Sequence, residues 1–224
     1  MYNKTKVFLV ALALSLSACN STSSDNSNDE PLKNHSGFLS DYSQLSSVDV
    51  GDDSQLTRFI SKELKARKYT KVMLDPISYY PAPQATDTVS QKVLGEISQY
   101  FNETVSTAVA QEVAVVTEAG EGTLRFKMAI TGVKILDKEL ALYQYVPIAF
   151  VINAAKGGLS DVEVHFQIEA EVVDSLTGEV LASAVKSGVG ETLANETTAL
   201  TLANLKPLID KWSKVMQNTI KQNL

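Results

Sequence analysis

The feature that most constrains the fold is a strict alternation of apolar and polar residues over positions 162–173. In a β-strand successive side chains point to opposite faces, so this pattern predicts a strand with one apolar face and one polar face. The apolar positions are Val162, Val164, Phe166, Ile168, Ala170 and Val172, and between them stand Glu163, His165, Gln167, Glu169 and Glu171. We expect the polar positions to be solvated, with His165 a surface histidine. Residues 174–178 read as a turn and 180–185 as the returning hairpin strand.

Two segments carry the spacing of an amphipathic helix. Apolar residues recur at steps of three and four over 88–111 and again over 205–222, which places them on one stripe of each helix. Thr88 and Gln91 offer a capping box for the first helix, and Pro207 is tolerated only near the start of the second. The stripes are Val89, Val93, Ile97, Tyr100, Phe101, Val105 and Ala108, then Leu205, Leu208, Ile209, Trp212, Val215, Met216 and Ile220.

The remaining segments complete an α+β prediction. Residues 53–68 favour a further amphipathic helix, 71–76 a strand that ends at Pro76, and 113–117 and 124–130 two more strands, with a β-bulge at Gly132 where the apolar phase shifts. The order is roughly β-α-β-β-β-β-α. We therefore predict an antiparallel sheet of about four to five strands, with two long amphipathic helices packed on one face. Phe38, Leu39, Tyr42 and Leu45 predict a short lead-in that packs on the domain.

The N-terminus has the parts of an export signal. Lys4 and Lys6 precede an apolar run over 7–16, which is too short for a comfortable transmembrane helix of about 20 residues. Cys19, the single cysteine, closes the run Leu16-Ser17-Ala18-Cys19, which looks like a bacterial lipobox. That likeness implies a diacylglyceryl thioether at Cys19 and an N-linked acyl chain such as palmitate. The alternative is an ordinary secretory signal in which the cysteine is incidental.

Composition divides the chain into three parts. We predict a lipoprotein signal peptide over 1–18, a lipidated N-terminus and flexible tether over 19–36, and a single periplasmic α+β domain over 37–224. The tether is mostly Ser, Asn, Asp and Thr, which cannot bury enough surface to order itself, and it includes His35, expected to be solvated. The full chain has a net charge of −6, and removal of the lysine-bearing signal makes it more acidic. That balance argues against nucleic-acid binding.

Three patches resemble a family of bacterial lipoproteins grouped as domain of unknown function 3313. They are Ser36-Gly37-Phe38-Leu39-Ser40-Asp41-Tyr42-Ser43, Tyr69 with Val72-Met73-Leu74-Asp75-Pro76, and Asp174-Ser175-Leu176-Thr177-Gly178-Glu179. With the lipobox, the resemblance spans nearly the whole chain, and it implies no established activity. Asn20 follows the cysteine, where lipoproteins retained in the inner membrane of Gram-negative bacteria tend to carry aspartate. The resemblance therefore implies the outer membrane.

No segment carries a convincing catalytic pattern. Ser183 and Lys186 match the Ser-x-x-Lys spacing of penicillin-recognising enzymes, but that motif needs a helix, and a strand places the two side chains on opposite faces. Two distant histidines and one cysteine do not make a metal site. Glu163, Glu169 and Glu171 could suggest acid/base chemistry, although a solvated sheet face is the ordinary explanation. We predict no catalytic residues, no metal and no cofactor.

One apolar segment suggests an interaction surface. Pro147 begins the run Ile148, Ala149, Phe150, Val151 and Ile152, and Gly157 and Gly158 end it. The segment fits a short helix or a buried strand, and burial is the ordinary interpretation. The alternative is an exposed patch, formed by Ile148, Phe150, Val151 and Ile152, that contacts a partner or the bilayer.

These observations predict a non-enzymatic lipoprotein. It would be held by the lipid at Cys19 on the periplasmic face of the outer membrane, where its domain would bind another envelope protein or the cell wall. One alternative is an envelope enzyme that acts on cell wall or lipid. The other is a carrier of a small apolar ligand between sheet and helices.

Overall fold

The predicted hairpin is the centre of the sheet. A computed structural model describes residues 35–51, 54–137, 152–153, 162–195 and 197–224. The strands, in chain order, are β1 (Ser46–Val48), β2 (Gln55–Ile60), β3 (Lys71–Leu74), β4 (Ser78–Tyr79), β5 (Ala114–Val116), β6 (Thr123–Asp137), β7 (Ile152–Asn153), β8 (Val162–Asp174) and β9 (Val180–Leu193). The helices are α1 (Lys62–Ala66), α2 (Gln91–Ala110) and α3 (Lys206–Asn223), with a 3-10 turn at Leu202–Asn204.

The predicted antiparallel sheet of four to five strands is wrong. The strands of the described ranges form one mixed sheet of nine, in the order β1-β2-β9-β8-β6-β3-β5, and β4 and β7 pair with β6 off this path. The β1-β2, β2-β9, β9-β8 and β8-β6 pairs are antiparallel. The pairs of β3 with β5 and β6, and of β6 with β4 and β7, are parallel.

The parallel part follows from a helical crossover. Parallel neighbours need a long connection, and α2 supplies it between β3 and β5. The antiparallel prediction did not take account of this long helix between two strands. The very short strands β1 and β4 were also missed, because two or three residues are too few to show an alternation.

The helix predicted over 53–68 is wrong for its first half. Leu56, Phe59 and Ile60 have spacings that fit a helix, yet they lie in β2, which pairs with β9 along its whole length. Only the five residues of α1 are helical, and the Ser61 hydroxyl caps them by accepting a hydrogen bond from the Glu63 N–H at 3.2 Å.

The two long helices are confirmed, with small changes at their starts. In α2 the N-cap is Ser90, whose hydroxyl accepts from the Val93 N–H at 3.3 Å, rather than the predicted Thr88. Pro207 lies in the first turn of α3, as predicted. The bulge is also confirmed, because the β6-β8 register shifts between Ile130 and Gly132.

The core lies between the helices and the apolar face of the sheet. The Phe166 ring on β8 meets Phe101 of α2 edge-on at 6.0 Å and stacks on Trp212 of α3 at 5.6 Å between ring centroids. Gly190 of β9 allows the close approach of the 3-10 turn, because a Cβ there would lie 2.6 Å from the Asn204 carbonyl oxygen. Both long helices therefore cover one face, and the polar residues of β8 point to the other.

Candidate functional site

The polar face of β8 is the part of the structure that departs most from the sequence prediction. We call Glu163, His165, Gln167, Glu169 and Glu171 the polar row. The predicted solvation is wrong for its lower half, Glu169 and Glu171, which are 0% and 4% exposed, and for Gln167, which is also buried. Burial of a carboxylate is costly unless hydrogen bonds or opposite charges compensate it. The two buried carboxylates therefore require hydrogen-bond donors or cations close by.

The cover over the lower half includes the lead-in, which we define as residues 36–45. Leu39 and Leu45 are buried, and the Phe38 ring meets Tyr80 edge-on with 5.7 Å between centroids. The sequence prediction that this segment packs on the domain is confirmed. What the sequence did not reveal is that the lead-in packs on the sheet face opposite the helices.

The Tyr42 hydroxyl is the main polar contact of the lead-in. It donates to Glu169 Oε2 at 2.5 Å and accepts from the backbone N–H groups of Gly37 at 3.0 Å and Leu39 at 3.1 Å. The Ser36 hydroxyl lies 3.3 Å away. The Tyr42 hydroxyl thus holds the backbone of the lead-in together and joins it to a buried carboxylate. Burial and the adjacent Glu169 raise the pKa of Tyr42, so the phenol keeps its proton at neutral pH.

Ser40 makes the second contact. Its backbone N–H donates to Glu171 Oε1 at 3.0 Å, and its hydroxyl donates to the same oxygen. Lys127 of β6 donates to the other oxygen, Oε2, at 3.1 Å. Burial pushes the pKa of Glu171 upward, but the hydrogen bonds from Ser40 and Lys127 outweigh it, and the pKa lies below its ordinary value. Glu171 is therefore ionised at neutral pH.

The upper half of the polar row holds a second group of titratable side chains. His165 is half-buried rather than a surface residue, which corrects the prediction, and its Nε2 lies 3.5 Å from Glu163 Oε2 without hydrogen-bond geometry. Burial lowers the pKa of His165 against the opposing effect of Glu163, and burial also lowers the pKa of Lys134, its register partner on β6. Gln167 lies between the two halves and donates to Thr131 Oγ1 of β6 at 3.1 Å.

Both buried carboxylates accept hydrogen bonds from the chain's own lead-in. A general acid or base must reach the proton that it transfers. Glu169 and Glu171 are covered, and their hydrogen bonds are made to Tyr42 and Ser40. The arrangement is that of a structural clasp, and we name the lead-in with Glu169, Glu171 and Lys127 the clasp. The sequence signal that could have found it is the row of glutamates facing a lysine on a neighbouring strand.

The Ser-x-x-Lys pair is separated by the sheet, as predicted. Ser183 lies opposite Glu171 on the polar face, whereas the Lys186 ammonium stands 5.3 Å from the Trp212 ring centroid on the helix face. The two side chains cannot act on one substrate atom.

The other predicted site residues lie mostly outside the described residues. Cys19, Ile148, Phe150 and Val151 are outside them, and His35 is described. Ile152 begins β7, which runs parallel to β6 at Lys134, so the strand alternative holds at this position. His35 was expected to be only solvated. Its ring also stacks on Tyr42, with 3.8 Å between centroids.

The described ranges hold neither a metal-binding cluster nor a membrane-spanning helix. No three His, Cys, Asp or Glu side chains there come together in a way that could hold a metal ion. Among the helices of those ranges, none combines the length and the apolarity that crossing a membrane requires.

Residues 34–216 match the family described as "Protein of unknown function (DUF3313)", and the chain belongs to that family. The "Uncharacterized lipoprotein YdcL" of Escherichia coli strain K12 is 34% identical over 178 residues, which cover 79% of this chain and 80% of that protein. The same protein from Escherichia coli O157:H7 matches equally. The resemblance to a DUF3313 lipoprotein is thus confirmed, and it indicates a membrane-anchored place in the cell envelope.

Solved structures give only distant likenesses. A PelC dodecamer from Paraburkholderia phytofirmans is 12% identical with a TM-score of 0.36, over 73% of this chain and 97% of that one. A neuraminyllactose-binding hemagglutinin homolog from Helicobacter pylori is 12% identical with a TM-score of 0.38, over 72% and 86%. Likeness at this level supports no argument about fold or function.

Proposed function

We propose that this protein is a lipid-anchored binding protein on the periplasmic face of the outer membrane. The observation that carries the proposal is the run Leu16-Ser17-Ala18-Cys19, in a chain that is 34% identical to a lipoprotein. Acyl chains hold a protein on a membrane by about 0.8 kcal/mol per buried CH₂, so two or three chains anchor it firmly. Asn20 in place of aspartate supports the outer membrane.

Binding rather than catalysis is the second part of the proposal. It is supported by the clasp, because the two buried carboxylates that could serve an acid/base reaction are hydrogen-bonded to Tyr42 and Ser40. The tether limits the range, since a coil of its length spans roughly 20–25 Å. The partner is thus an envelope protein or the cell wall close to the membrane.

The anchor is tested by labelling cells with a radioactive or clickable palmitate and separating membranes on a sucrose gradient. We expect label and outer-membrane density for the natural sequence, and neither for Cys19→Ala. Ser21→Ala, two residues along the tether, is the matched control and should behave as the natural sequence. A Cys19→Ala protein that stays on membranes in high salt would refute the anchor.

The choice of membrane and the binding role need separate tests. Asn20→Asp should shift the protein from outer-membrane to inner-membrane density, and a natural protein already at inner-membrane density would refute the outer-membrane assignment. For binding, a photoreactive residue at the exposed position Leu176 or Val215 is crosslinked in living cells. We expect a discrete crosslinked species that Cys19→Ala weakens. Its absence at every exposed position tried would contradict a binding role.

A further inference from the structure

The lead-in is attached to the domain outside its main hydrophobic core. Five of its ten residues are exposed. Leu39 and Leu45 are buried, but neither belongs to the apolar cluster that joins the sheet to α2 and α3. Segments with few buried apolar contacts open at a lower free energy than the core of the same protein. The lead-in therefore has the composition of a segment that opens on its own.

The backbone of the lead-in forms hydrogen bonds within the segment itself. The Tyr42 hydroxyl accepts from the N–H groups of Gly37 and Leu39, and the Leu45 N–H donates to the Tyr42 carbonyl oxygen at 3.2 Å. Within the described ranges, no backbone–backbone hydrogen bond joins the lead-in to a strand. Release of the segment therefore leaves the described strand pairs of the sheet intact.

The polar contacts between the lead-in and the sheet converge on two carboxylates. Tyr42 donates to Glu169, and Ser40 donates to Glu171 through both its backbone N–H and its hydroxyl. Lys127 belongs to the sheet and stays beside Glu171 when the lead-in leaves. Because water hydrates a carboxylate that is uncovered, opening of the lead-in does not create a buried charge without a partner.

The corresponding step on the helix face exposes much more apolar surface. Release of α3 uncovers a set of fully or almost fully buried apolar side chains, including Ile209 and Trp212. In the lead-in, only Leu39 and Leu45 are buried to a similar extent. Hydrophobic stabilisation is roughly proportional to the apolar area removed from water. The lead-in therefore opens at a lower free energy than the helices.

A single hinge is enough for this opening. On its C-terminal side the lead-in continues directly into β1, which stays paired with β2. On its N-terminal side lies the Ser- and Asn-rich segment that the sequence predicts to be a flexible tether. Only the junction with β1 has to change its backbone conformation when the lead-in moves away from the sheet.

We propose that the lead-in is a releasable strap, which opens while the sheet and the two long helices stay folded and thereby uncovers Glu169 and Glu171. The closed strap withholds the lower half of the polar row from solvent and from other molecules. The open strap makes that surface accessible, with Lys127 beside the two carboxylates. The strap thus controls access to a polar surface. This proposal goes beyond the binding role proposed above and does not depend on it.

Hydrogen exchange of the full-length protein in detergent, resolved to single residues by mass spectrometry with electron-transfer fragmentation, tests the proposal. The reporter amides are those of Ser40 and Leu45, because the Tyr42 hydroxyl is not their acceptor. We expect both to be protected, but with protection factors at least about a hundredfold below those of the paired amides of β8 and β9. Low concentrations of urea should change the reporter exchange little, because opening exposes little surface.

A core variant and a strap variant separate local opening from global unfolding. Phe166→Leu should speed exchange of the β8 and β9 amides about tenfold and leave the reporter amides unchanged, because their opening does not disturb the core. Ile209→Val, a milder change in the same core, replaces it should Phe166→Leu fail to fold. Tyr42→Phe should speed the reporter amides at least about tenfold. Tyr80→Phe is its matched control and should leave them unchanged, since it keeps the ring that contacts the lead-in.

Carboxyl labelling with a water-soluble carbodiimide and glycine ethyl ester measures the uncovering directly. Glu171 is the decisive site, because Tyr42 does not contact it and its labelling therefore reports release of the whole strap. We expect labelling of Glu169 and Glu171 to be slow in the natural sequence and at least about tenfold faster in Tyr42→Phe. The exposed Glu118 should react equally in both.

Four results would overturn the proposal. The first is equal protection of the reporter amides and the core amides, and the second is acceleration of both by Phe166→Leu to the same degree. The third is labelling of Glu169 and Glu171 only under conditions that unfold the whole domain. The fourth is a natural protein whose reporter amides have no protection, because the strap would then not be closed. Each of these results leaves the proposed anchor and binding role as they stand.

Discussion

The two faces of the sheet are buried by different physical means. On the helix face, Phe166 packs between Phe101 and Trp212, and removal of apolar surface from water stabilises the contact. On the opposite face, Glu169 and Glu171 are buried against a segment of about ten residues, and hydrogen bonds to Tyr42 and Ser40 compensate their desolvation. The first face tolerates imperfect geometry, whereas the second depends on individual atoms.

The difference has a consequence for stability. Hydrophobic burial is roughly proportional to area and is spread over many residues. The desolvation cost of a buried carboxylate is compensated only while its hydrogen-bond partners remain in place. Loss of one partner therefore costs the full desolvation free energy of that group. The clasp should therefore respond to single-atom changes and to pH, and the helix face should respond mainly to changes in volume.

The largest effect is expected on the helix face. Phe166→Ala should lower the free energy of unfolding by about 3–5 kcal/mol, because it removes a fully buried ring and leaves a cavity between two helices. Urea denaturation followed by circular dichroism measures the loss. The matched control is Phe166→Leu, which keeps most of the volume and should cost less. Equal losses for the two variants would contradict a volume-driven face.

A single oxygen atom should have the next largest effect. Tyr42→Phe removes the donor to Glu169 and the acceptor for the Gly37 and Leu39 N–H groups. We expect a loss of about 2–3 kcal/mol, because the buried Glu169 side chain and two backbone N–H groups lose a partner, and we expect faster proteolysis within the lead-in. The same measurement on Tyr80→Phe is the control, because Tyr80 is 42% exposed and contacts the lead-in through its ring. A Tyr42→Phe variant as stable as Tyr80→Phe would show that the clasp contributes little.

The sequence revealed the helix face better than the clasp, for a physical reason. Local periodicity reports which side of one element is apolar, and it placed α2, α3, β8 and the bulge at Gly132 correctly. It does not report which distant segment covers a polar face. The contact between Tyr42 and Glu169 joins residues 127 positions apart, and the sequence around either residue does not predict it.

The same limit explains the errors in the sheet and in the site. Gln55–Ile60 has helical spacing, and its pairing with β9 decides that it is a strand. The glutamates of β8 alternate with apolar residues, which is typical of a strand with one solvated face. Two of them are buried because the lead-in covers them.

The acid dependence of stability separates the two faces without a change of volume. The pKa of Glu171 in the folded protein lies below its ordinary value, so the ionised side chain stabilises the fold above its unfolded-state pKa of about 4.3. This contribution is lost as pH falls through the lower folded-state pKa. Glu171→Gln should therefore lose less stability than the natural protein between pH 6 and pH 3, measured by urea denaturation at each pH. Glu118→Gln, at an exposed position, is the control. If both variants keep the natural pH dependence, Glu171 does not stabilise the fold as predicted.

The smallest effect is expected from removal of one neutral hydrogen bond on the polar face. Gln167→Met keeps a similar length and removes the bond that Gln167 Nε2 donates to Thr131 Oγ1. A neutral hydrogen bond contributes about 0.5–1.5 kcal/mol net, so we expect a loss of about 1 kcal/mol, clearly below that of Tyr42→Phe. In the double variant Gln167→Met with Tyr42→Phe, additive losses would mean that the two contacts act independently. A loss smaller than the sum would mean that Gln167 holds Glu169 in position for Tyr42, because Gln167 Nε2 also lies 3.5 Å from Glu169 Oε1.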